Sequence, residues 1–136
     1  MVSQPSHTYG LSKNLFVSRK ASGDSIVVGG TGEDNTRWTR VLSYRAAQML
    51  WFNLAELLYP EKSKRIGGLI TTAPLRGADL PTITTHTAVD KTEDSNFEVT
   101  GWAGSQSWVI KLDADEVRRL WSALDAVLTP IEWSEQ

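Results

Sequence analysis

Trp108–Pro130, WVIKLDADEVRRLWSALDAVLTP, carries an amphipathic strand through an acidic helix cap into a helix closed by proline. Seventy residues earlier Trp38–Pro60, WTRVLSYRAAQMLWFNLAELLYP, follows the same plan. Without a gap the two segments coincide at Trp38/Trp108, Leu42/Leu112, Leu50/Leu120, Trp51/Trp121, Leu54/Leu124, Leu58/Leu128 and Pro60/Pro130. Every coincidence is a large apolar residue or the terminating proline, so what recurs is a way of packing.

In the first copy Trp38, Arg40 and Leu42 alternate onto one strand face, with Arg37, Thr39 and Val41 on the other. Ser43 offers a hydroxyl N-cap. Ala47, Leu50, Trp51, Leu54, Leu57 and Leu58 then recur at helical spacing as one apolar stripe, and Pro60 ends the helix. In the second copy Trp108, Ile110 and Leu112 share a face, and Asp113 with Glu116 forms an acidic capping box. Val117, Leu120, Trp121, Leu124, Val127 and Leu128 make the stripe before Pro130.

Upstream of each copy the chain alternates as strands do. Asn14–Lys20 and Ser25–Gly29 read as strands around a turn at Ala21–Asp24. Pro81–Val89 and Phe97–Ala103 read likewise around the polar turn Asp90–Asn96. Glu61–Arg65 is expected as a charged, solvated connector. Ile66–Pro74 is a strand weakened by two glycines, and Leu75–Pro81 a loop. Residues 1–12 are expected to be a loose arm.

These elements give an α+β chain in one domain, residues 1–136. It is built as a tandem pseudo-twofold repeat of antiparallel strands followed by a helix, (ββββα)2-like, with copies at about 14–60 and 66–130. Burying residues such as Leu50, Trp51 and Leu54 contributes about 1.5–3 kcal/mol each.

Composition removes several chemistries. There is no cysteine, so disulfides, thiolate metal sites and cysteine nucleophiles are absent. His86 has no partner at metal-ligand spacing, and His7 lies in the arm. GGTGEDN, Gly29–Asn35, lacks the Lys and Ser/Thr of a phosphate loop and lies between β-like runs, where a hairpin connection suffices. Carboxylates at Asp90, Glu93 and Asp94 fit a turn, and those at Asp113, Asp115 and Glu116 a helix start. The expectation is a non-enzymatic protein with no cofactor and no metal. The first ten residues have neither a basic start nor an apolar run, and no stretch is long and apolar enough for a membrane span, so a cytoplasmic protein without membrane contact is expected.

The net charge of −2 conceals an uneven distribution. Residues 1–65 hold nine Lys/Arg against five Asp/Glu, and residues 66–136 hold five against eleven. The two halves could attract each other, or the basic half could meet a polyanion.

Tandem (ββββα) halves about a pseudo-dyad resemble the Whirly family and the related coactivator-type single-stranded-DNA-binding regulators. The resemblance covers Asn14–Pro130 in order of elements, and it implies a transcription-associated module that binds single-stranded DNA or RNA. It carries over no individual binding residues; those come from the strands themselves. Phe16, Arg19 and Lys20 on one strand, with Arg37 and Arg40 on another, supply the cations and the stacking aromatic such a ligand needs. Trp38 belongs to the core because its counterpart Trp108 shares a face with Ile110 and Leu112. The competing expectation is a non-catalytic adaptor that binds another protein through Trp102 or Trp133, with homo-oligomer formation left open.

Overall fold

The structure, a computed structural model, describes residues 7–20, 25–70 and 83–129. The expected turn at Ala21–Asp24, the Leu75–Pro81 loop, the stop at Pro130 and Trp133 lie outside those residues. In chain order the elements are β1 (His7–Leu11), β2 (Lys13–Arg19), β3 (Ile26–Thr31), β4 (Arg37–Leu42), α1 (Tyr44–Leu58) and α2 (Pro60–Gly67). Then follow β5 (Ile83–Thr84), β6 (His86–Lys91), β7 (Phe97–Ala103), β8 (Gln106–Leu112) and α3 (Ala114–Leu128). The chain is α+β, with two four-stranded sheets and three helices among the described residues.

Each sheet is an antiparallel meander completed by one parallel strand from the other half of the chain. The N-terminal sheet has the order β2-β3-β4-β5, and β5 joins β4 in parallel. The C-terminal sheet has the order β1-β8-β7-β6, and β1 joins β8 in parallel. The helices cross over too: α3 packs on β2, α1 on β6, and α1 against α3. Neither half therefore holds a complete core.

The inner faces meet at the tryptophans of the sequence motif. Trp38 and Trp108 are 4 % and 1 % exposed, with ring centroids 6.3 Å apart. Each indole N–H is satisfied by a buried hydroxyl on, or just past, the strand that its own half lends to the opposite sheet. Trp38 Nε1 donates to Ser12 Oγ at 3.1 Å, and Trp108 Nε1 to Thr84 Oγ1 at 2.9 Å. Gly30 stands opposite Trp38 and Gly101 opposite Trp108. The Trp108 ring lies so close over Gly101 that a Cβ there would overlap it.

The caps form as the sequence requires. Ser43 Oγ accepts from the Ala46 amide at 3.1 Å, and Asp113 Oδ1 from the Glu116 amide at 2.8 Å. Glu116 departs from the reciprocal capping-box geometry. Its carboxylate accepts from the Leu15 amide at 3.4 Å and so ties α3 to β2. Helix α1 stops at Leu58, and Pro60 becomes the first residue of α2, where its missing amide hydrogen is harmless.

Four expectations need correction. The arm is not loose where it is described, because His7–Leu11 is strand β1, held by β8. The charged connector and the start of the expected strand at Ile66 form α2: Glu61 in its first turn and Lys64 and Arg65 in its last suit the helix dipole, and Ile66 anchors it fully buried. The strand expected at Pro81–Val89 breaks at Thr85, sending Ile83–Thr84 to one sheet and His86–Lys91 to the other. Leu57 leaves the buried stripe of α1 and is 46 % exposed.

The α1–α3 seam has one polar contact that its counterpart lacks. Trp51 Nε1 donates to Asp125 Oδ1 at 3.2 Å. Counting back by the same seventy residues, the position that would serve Trp121 is Ala55, and the Trp121 indole N–H is buried without a partner. Asp125→Ala should orphan Trp51 in the same way and cost about 1–3 kcal/mol in urea unfolding. An unchanged midpoint would mean that the bond adds nothing to the seam.

Candidate nucleic-acid interface

Alternation along the strands fixes the two faces of the N-terminal sheet. Ile26, Val28, Trp38 and Leu42 are buried on the inner face. The register then assigns three rows to the solvent face: Lys13–Thr31–Arg37, Phe16–Gly29–Thr39, and Ser18–Val27–Val41–Ile83. Lys13, Arg37 and Thr39 are exposed, and Phe16 is 45 % exposed. Val27 and Val41 are half-buried and Ile83 is buried, so this face is open chiefly over the first two rows.

The five residues singled out from the sequence divide between the faces. Phe16 and Arg37 share the solvent face. Arg19 and Arg40 belong to rows with Ile26 and Val28 on the inner face, at its margins. Arg19 Nη2 donates to the Val127 carbonyl at 3.2 Å, capping the C-terminal end of α3, and its guanidinium lies 5.3 Å from the Tyr44 ring centroid. Arg40 donates to Tyr9 Oη from Nε at 3.0 Å and from Nη2 at 2.6 Å. Tyr9 in turn stacks on Trp38 with centroids 5.2 Å apart. Both arginines therefore fasten elements of the fold. Lys20 is exposed just beyond β2, with its backbone amide bonded to the Ser25 carbonyl at 2.9 Å.

Two residues escaped the sequence reading. Lys13 lies at the head of β2, and only the bulge between Lys13 and Phe16 brings it into the row of Arg37. Gly29 read as the end of a strand and the start of the glycine-rich connection, and nothing in the sequence disclosed that it pairs directly with Phe16. The alternation of β2 held one usable signal: Phe16 and Arg19 are three apart and cannot share a strand face.

The solvent face of the C-terminal sheet is different in charge. Its rows hold Asp90–Glu98–Lys111–Leu11 and His86–Trp102–Ser107. Trp102 is 41 % exposed there, opposite His86. Lys111 lies 3.8 Å from Asp94, so carboxylates outnumber cations. An open cleft of about 560 Å³ between β1 and the β3–β4 turn is lined by His7, Tyr9, Glu33, Asp34 and Thr36 among others. Its two carboxylates disfavour an anionic ligand.

Two matching turns, Gly32–Thr36 and Thr92–Asn96, close with Asn35 and Ser95 at φ 65° and 67°. The hydrogen bond from the Thr36 side chain holds the Asp34 carboxyl below its ordinary 3.8, and that from the Thr92 hydroxyl does the same for Asp94. A depressed folded-state pKa stabilises the fold above the unfolded value, and that contribution disappears as pH falls through the folded one. The double variant Asp34→Asn, Asp94→Asn should therefore lose less stability below pH 3.8 than the parent in acid titrations followed by circular dichroism. Parallel acid limbs would exclude these turns as contributors.

Among the described residues no three His, Asp or Glu side chains are placed to hold a metal ion, and no helix is long and apolar enough to cross a membrane. Comparison with family models, with curated proteins and with solved structures returns no match.

Proposed function

We propose that this protein binds single-stranded DNA or RNA on the solvent face of the N-terminal sheet, as a non-enzymatic, transcription-associated module. One observation carries the reading: an exposed aromatic, Phe16, lies beside a cationic row, Lys13 and Arg37, on one solvent-facing sheet surface. Stacking on an aromatic contributes about 1–3 kcal/mol per base, and phosphate contacts by Lys and Arg supply the sequence-independent remainder. The positive balance of residues 1–65 supports the same face, and the carboxylates of the other sheet oppose binding there.

The chain is a doubled (ββββα) unit of Whirly-like layout whose copies exchange an edge strand and a helix. Three parallels support it: the paired indole-to-hydroxyl bonds Trp38–Ser12 and Trp108–Thr84, the glycines opposite both tryptophans, and the edge pairings Leu11–Lys111 and Ile83–Val41.

Anisotropy of a fluorescein-labelled oligothymidylate is the direct test. Quenching of the protein's own tryptophans is a poorer one, because Trp38 is buried on the opposite side of the sheet from Phe16. Affinity should fall steeply with salt, with a slope of about 0.7 per phosphate neutralised. Absence of binding at low salt would transfer support to the second reading, a protein-binding adaptor. That reading is favoured by Trp102, a large aromatic exposed on the other sheet.

A further inference from the structure

We infer that a bound strand crosses the N-terminal sheet along its register rows, with its phosphates on Lys13–Thr31–Arg37 and its bases over Phe16, and that Gly29 is the residue positioning the Phe16 ring. This rests on the nucleic-acid reading of that face. The solvent face is ordered by polarity from one row to the next. The first row has a cation at each end, the second has the aromatic, and the third has Val27 and Val41 between Ser18 and Ile83. Successive rows on one face are two residues apart, about 6.6 Å. A backbone laid on the cationic row thus reaches the aromatic row with its bases. Lys13 and Arg37 are two strand spacings apart, about 9.6 Å, and bracket the phosphates on either side of one base.

Gly29 determines how the aromatic sits. Phe16 pairs with it across the β2–β3 ladder, and a Cβ at Gly29 would collide with Cζ and Cε1 of the ring. The ring therefore lies down on the glycine backbone, as aromatics do when they cover a cross-strand glycine. It covers the glycine and stays 45 % exposed, which leaves it accessible to a base. The neutral polar groups these rows offer to base edges are the rotatable hydroxyls of Ser18, Thr31 and Thr39, which donate and accept alike. The ligand is accordingly a single strand recognised without regard to sequence.

Three kinds of measurement test this together. Wild-type protein should bind fluorescein-labelled dT12 about 5-fold or more tightly than an abasic 12-mer carrying the same charge. Gly29→Ala, which lifts the ring, should bring that ratio close to one while leaving the salt slope intact. Phe16→Leu repeats the comparison without touching the backbone, in case alanine against the Trp38 carbonyl prevents folding. Lys13→Gln and Arg37→Gln should each lower the salt slope by about 0.7 and leave the ratio unchanged. A wild-type ratio of one, or a slope indifferent to Lys13, overturns the row assignment while nucleic-acid binding stands. Failure of wild-type protein to bind either strand removes the underlying function and this inference with it.

Discussion

Trp108→Ala should lower the free energy of unfolding by about 3–5 kcal/mol, the usual cost of truncating a buried tryptophan. Domains of this kind hold only about 5–15 kcal/mol in total, so the urea midpoint should collapse or the variant should fail to fold. Trp108 is 1 % exposed, its ring covers the Gly101 backbone, and it abuts Trp38 where the two sheets meet. Alanine there opens a cavity that the rigid ladder on either side cannot close. It also strands the hydroxyl of Thr84, which is fully buried. Thr84→Val separates the two effects, since it keeps the ring and removes only its acceptor, at about 1–3 kcal/mol. A loss below about 1 kcal/mol for Trp108→Ala would mean that the sheets are held by something other than this indole seam. If the halves are copies, Trp38→Ala with Ser12→Ala should reproduce the pattern from the other side.

How far the sequence discloses this fold depends on the range of each interaction. The helices are legible because their causes are local: a cap at Ser43 or Asp113, an apolar stripe at helical spacing, and a proline at position 60. The strand of Trp108 is legible through its alternation. Strand β1 is not, because residues 7–11, HTYGL, hold a glycine and few apolar side chains and become a strand only by meeting β8 about a hundred residues later. Helix α2 is hidden for the opposite reason. Its composition reads as solvated, and a single residue, Ile66, ties it to the core. Thr85 shows no sign that the chain changes sheets there, since a run of alternating threonines is equally good strand on both sides.

The candidate site was half legible. Composition pointed to Phe16 and Arg37, which share a solvent face, but grouped them with Arg19 and Arg40, which the alternation of the strands assigns to the opposite face. Lys13 and Gly29 acquire meaning only from a register, and one sequence does not reveal which residue stands opposite which.

On the proposed placement of the ligand, Arg37→Glu should weaken binding to single-stranded DNA on the order of 100-fold at 0.1 M salt, since it removes a cation from the phosphate row and installs a repulsion. The effect should exceed that of Arg37→Gln because the new carboxylate also acts on the neighbouring cation. Lys13 is about 9.6 Å away across two strand spacings, inside the ~10 Å screening length at that ionic strength. Arg40→Gln is the control of opposite sign. Its guanidinium is half-buried and spent on Tyr9, so its loss should lower the urea midpoint and change affinity little. Arg19→Gln should behave likewise through the C-terminal carbonyl of α3 that it caps. These four cations of the N-terminal sheet are thus divided by face, Arg19 and Arg40 fastening the fold and Lys13 and Arg37 facing solvent, and the two pairs must separate in paired affinity and stability measurements. Should Arg40→Gln rather than Arg37→Glu abolish binding, the ligand would lie against the β1 margin, and the solvent face would be an ordinary solvated sheet.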